Sequence, residues 1–80
     1  MSPEDEKYYE TYFDLFMQPG WEQFIEEIQN ILDGHRIEDI RDEQNLAYIK
    51  GERAALMRVR RFAGGIKQSY EIIKEREDAS

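Results

Sequence analysis

Eighty residues with 36% charged, 40% apolar and 12% aromatic side chains describe one small globular domain rather than a disordered tail. The chain has no cysteine, which excludes disulfide staples, zinc-thiolate sites and cysteine nucleophiles. Its formal charge of −7 is divided unequally: residues 1–40 hold eleven acidic and two basic side chains, residues 41–80 seven acidic and nine basic. A domain of this size buries only about 60% of the surface its unfolded chain exposes, so without staples it is expected to gain stability from a partner or a second copy.

In chain order, the first predicted element is a helix over about 3–17. Ser2 offers a hydroxyl N-cap, Pro3 stands at the first helical position, and Glu4, Asp5 and Glu6 place carboxylates at the positive end of the macrodipole. Tyr9, Phe13 and Phe16 fall on one line of this helix and Tyr8, Tyr12 and Leu15 on the adjacent one. That aromatic face is wider than one neighbour covers, and either packs inside the monomer or meets another chain.

Pro19 and Gly20 predict a turn, with Gly20 supplying a permissive dihedral. A second helix is expected over about 20–35, because Trp21, Phe24, Ile25, Ile28, Ile31 and Leu32 recur at intervals of three and four. It ends at Gly34 as a left-handed cap or runs one turn further through His35 and Arg36. The polar stretch 36–45 should contain a turn, with Ile37 and Ile40 as anchors and Glu38, Asp39, Asp42 and Glu43 suited to the first turn of a third helix.

That third helix is expected to be long, over about 42–76. Leu56, Val59, Ala63, Ile66, Tyr70 and Ile73 step by three and four as a heptad seam, which Leu46 and Ile49 extend backwards and which loses an apolar member at Glu52 and Arg53. Gly64 and Gly65 together cost such a helix roughly 2 kcal/mol relative to alanine. Two readings account for them: a close approach of another helix, or a break near residue 64.

No chemistry-bearing constellation stands out. His35 is the single histidine and has no second ligand at metal-binding spacing, so it reads as a helix-end residue. The acidic clusters at 4–6, 26–27, 38–39 and 42–43 are sequence neighbours that a helix points in different directions, and the three serines lie in no nucleophile motif. The expectation is therefore no enzyme, no catalytic residue, no metal and no cofactor. Five basic residues without an acidic one lie between Arg53 and Lys67. They either pair with the acidic first half, contact phosphates as RVRRFAGGIK around Phe62, or meet a protein partner. The acidic half could equally imitate nucleic acid toward a basic groove.

The order of segments is a tyrosine-rich acidic opening (KYYETYFDLF), a PGW step followed by FIEEI, an acidic linker (IEDIRDEQNL), then YIKGERAALMRVRRF and a late SYE. It resembles the short all-α accessory proteins of tailed bacteriophages, on Trp21, Leu46, Lys50, Gly51, Leu56 and Phe62. The resemblance implies a phage origin and a role in virion assembly or in inhibiting a host protein, without an activity.

The combined expectation is an all-α fold, a helical hairpin or three-helix arrangement with a long C-terminal helix, that forms a homo-oligomer by coiled-coil contact. Its predicted protein interface comprises Tyr9, Phe13, Phe16, Trp21, Arg58, Arg60 and Arg61, with Ile66 and Tyr70 of the seam. Expected partners are virion or host proteins, with nucleic acid a lesser alternative. The acidic opening lacks the basic start and apolar core of a secretory signal, and no apolar run approaches the length of a membrane span. With the phage origin that the resemblance implies, the host cytoplasm or the virion is the expected location.

Overall fold

The computed structural model describes residues 1–79, which are all-helical and contain no strand. The elements are α1 (Pro3–Phe16), α2 (Pro19–Asp33), a short 3-10 turn (Ile37–Asp39), α3 (Glu43–Arg60) and α4 (Phe62–Ala79).

Local chemistry explains most helix ends. At the start of α1, Ser2 and Asp5 form a reciprocal capping box: the Asp5 amide donates to Ser2 Oγ at 3.1 Å, and the Ser2 amide to Asp5 Oδ2 at 3.4 Å. Gln18, which precedes proline, is extended as that position requires, and Pro19 opens α2 where its missing N–H costs nothing. Asp42 caps α3 by accepting from the Asn45 amide at 2.7 Å.

Two expectations about glycine give way, since no glycine takes a positive φ. Gly20 lies inside the first turn of α2, so the extended Gln18 alone makes the turn. Gly34 is a C-cap with φ −77° rather than a left-handed one. The last turn of α2 tightens instead, with the His35 amide donating to the Leu32 carbonyl at 3.3 Å. Of the two linker isoleucines, Ile40 is half-buried while Ile37 is exposed.

The segment expected as one long helix is two helices meeting at Arg61, three residues before the paired glycines. The interruption is slight: the Arg61 amide donates to the Met57 carbonyl and the Gly65 amide to the Arg61 carbonyl, both at 3.0 Å. Of the two readings, the break near residue 64 is met three residues early, while no helix of the same chain closes on the glycines. Gly64 and Gly65 lie inside α4, and a Cβ at either would meet nothing within 4 Å. The expected seam of Leu56, Val59, Ala63, Ile66, Tyr70 and Ile73 is half-buried or buried throughout, so it runs across the junction without a change of phase. What changes at Arg61 is the neighbour, α2 before it and α1 after it.

Packing follows from this division. α2 lies against α3, and α1 against α4. The chain is elongated, 55 × 28 × 17 Å, and 55 Å is about the length of residues 43–79 as one rod at ~1.5 Å per residue. Its radius of gyration is 17.4 Å, against about 12 Å for a compact 80-residue domain. The core is correspondingly thin: among the described residues only Tyr9, Ile28, Leu32 and Ile66 are buried apolar side chains.

Candidate functional site

The helices assemble a continuous band of aromatic rings. Tyr9 sits 5.4 Å and Phe13 5.2 Å from Tyr70, both edge-on, and so join α1 to α4. Tyr12 reaches Phe62 at 5.2 Å, and Phe16 reaches Trp21 at 5.0 Å across the turn between α1 and α2. Through Tyr8 and Phe24 at its margins the band includes nine of the ten aromatic side chains, all but Tyr48. Offset and edge-to-face pairs of this kind contribute about 0.5–1.5 kcal/mol each beyond area burial.

The basic stretch is divided between two faces. Arg53 and Arg60 turn toward α2, where they bond neutral acceptors. Arg53 Nη1 donates to the Leu32 carbonyl at 2.8 Å and lies 3.4 Å from His35 Nδ1, whose ring places Nε2 3.6 Å from Glu52. Arg53 thus satisfies a terminal carbonyl at the negative end of the α2 macrodipole. Arg60 Nη1 donates to Gln29 Oε1 at 2.6 Å, and Gln29 Nε2 in turn to Asp33 Oδ1 at 2.8 Å. Arg58, Arg61 and Lys67 remain exposed.

Pairing of the basic stretch with the acidic first half is therefore not what the structure shows. Among the described residues, no lysine or arginine is ion-paired with a carboxylate; the Met1 amino group pairs with Glu77, and His35 Nε2 lies near Glu52. Both the outward arginines and most of the carboxylates are exposed.

The outward arginines border an open groove of about 710 Å³ across the α3–α4 junction. Met57, Phe62 and Ile66 supply its apolar lining, Arg58 and Arg61 its charge, and Gly65 a stretch of wall without a side chain.

Of the residues expected at an interface, Tyr9, Phe13, Phe16, Trp21 and Tyr70 come together in the aromatic band. Arg58, Arg61 and Ile66 come together in the groove, although Ile66 itself is buried. Arg60 stands apart from both, on Gln29. Phe62 belongs to the band and the groove at once, and its place four residues after Arg58 was the available signal. Ile72, exposed one turn beyond the groove, lay one position outside the seam and was not singled out.

No group of three or more potential metal ligands occurs among the described residues. Among the described residues, no helix is long and apolar enough to cross a membrane. No family model, curated protein or solved structure matches the chain.

Proposed function

We propose that the chain is a non-catalytic component that self-associates and works through protein contacts, as an assembly accessory of a tailed bacteriophage in the virion or the host cytoplasm. The observation that supports this reading is its surface. The chain exposes 6654 Å², where a compact monomer of 9.6 kDa exposes about 5,100 Å². The excess of about 1,500 Å² exceeds the ~800 Å² that each partner contributes to a standard stable interface. Four buried apolar side chains make a small core for eighty residues, so burial supplied by other chains has a stabilising role to fill.

Sedimentation equilibrium across a range of concentrations tests the reading, together with the protein's copurification with particles. A defined oligomer that travels with particles is expected; a stable monomer overturns self-association.

The unpaired carboxylates favour a second reading, an acidic inhibitor that covers the basic groove of a host nucleic-acid enzyme. It predicts binding to a basic protein that weakens steeply with salt. Direct nucleic-acid binding would rest on Arg58 and Arg61, and requires that R58E/R61E abolish retention on nucleic acid at low salt.

A further inference from the structure

The groove across the α3–α4 junction is spaced as a row of coiled-coil sockets. Ala54, Met57, Arg58 and Arg61 stand at i, i+3, i+4 and i+7, the four positions that form a hole for one knob of a facing helix. The remaining lining residues, Phe62, Gly65, Ile66 and Ser69, repeat the same spacing eight residues on. Because the helical hydrogen bonds carry through Arg61, the row is not interrupted by the junction.

A matching knob lies on the same line of the same rod. Arg58, Gly65 and Ile72 are separated by seven residues each, and Ile72 is 41% exposed. We infer that the groove receives α4 of a second copy of this chain, in an antiparallel two-fold pairing that crosses at Gly65. This deepens the self-association proposed above and rests on it.

The geometry selects that arrangement. With Gly65 on the two-fold axis, Ile72 of each copy faces Arg58 of the other and enters the socket formed by Ala54, Met57, Arg58 and Arg61. Arg61, four residues before the crossing, faces the small Ser69 four residues after it. Gly65 then acquires a role that the single chain does not supply, because the space above it lies open and lets two helices approach closely. Charge agrees: Glu71 and Glu75, on the turns around Ile72, are brought beside Arg58, which has no ion partner among the described residues of its own chain. A parallel pairing would instead stack Arg58 on Arg58 and Arg61 on Arg61.

The absence of native cysteine makes a single introduced thiol diagnostic. Gly65→Cys places the two sulfurs at the crossing, within disulfide reach, and is read by non-reducing electrophoresis after mild oxidation, with Lys7→Cys on the exposed side of α1 as control. A discrete covalent dimer for Gly65→Cys alone is expected. Sedimentation equilibrium of Ile72→Glu should show association weakened by at least about tenfold, because a carboxylate is desolvated in an apolar socket. Arg58→Glu should also weaken it, and R58E/E75R should recover it in part; unchanged far-UV circular dichroism confirms that the variants fold. If the native chain associates but Gly65→Cys cross-links no better than the control and Ile72→Glu associates as before, this interface is wrong while self-association stands. A native chain that remains monomeric overturns both.

Discussion

The two halves of the molecule are held together by different chemistry. Between α1 and α4 the contact is made by rings: Tyr9 and Phe13 on Tyr70, and Tyr12 on Phe62. Between α2 and α3 it is made by buried Ile28 and Leu32 together with two arginines that reach defined acceptors, the Leu32 carbonyl and the Gln29 amide. Ring packing supplies large apolar area with broad angular tolerance, whereas a guanidinium bonded to one carbonyl specifies register. The α1–α4 half is thus set mainly by area and the α2–α3 half by area and direction. The turn before Pro19 and the junction at Arg61 lie at one level, with Phe16 and Phe62 6.2 Å apart between them.

The comparison breaks most sharply at Tyr9, the one buried residue of α1. Tyr9→Ala should destabilise the chain by about 3 kcal/mol, in line with large-to-small aromatic changes, and equilibrium urea unfolding at fixed protein concentration measures it. Leu32, only 4% exposed, is the corresponding position of the other half, and Leu32→Ala should cost about 2–3 kcal/mol in the same assay.

A smaller effect sharpens the difference in kind. Arg53→Ala should cost about 1–2 kcal/mol, because it leaves the Leu32 carbonyl without its cross-helix donor and removes a packed stem. Native-state hydrogen exchange should locate that loss at the end of α2, while amides of α1 and the C-terminal turns of α4 keep their protection. If protection instead falls equally throughout, the two halves are one cooperative unit and the division of labour is refuted. The smallest effect has the opposite sign. Gly64→Ala should stabilise the chain by about 0.5–1 kcal/mol, since the added methyl meets nothing and helix propensity improves.

Much of the secondary structure was legible because its causes are local. Ser2 and Asp5 form their capping box from residues three apart, Gln18 is extended because proline follows it, and the period of Trp21 to Leu32 orients α2. The aromatic members of the candidate site were legible for the same reason, as lines along one helix. The groove was not, because its acceptance of a neighbour depends on which side of the α3–α4 rod is already covered. Arg53 and Arg60 show the difficulty. Arg53 looks like a gap in the heptad, and Arg60 like a residue beside it, until α2 presents a carbonyl and an amide opposite them.

The sequence by itself determined that the chain is helical, where α1, α2 and α3 begin, and which faces of α1 and α2 are apolar. These depend on dihedral preference, capping and periodicity, all of which act within a few residues. Only the tertiary structure decided that the long helix yields at Arg61 rather than at Gly64 and Gly65, and which arginines turn inward and which stay outside. The junction lies where the contact with α2 hands over to the contact with α1. An arginine's direction follows from the acceptor within its reach, which the fold alone brings near.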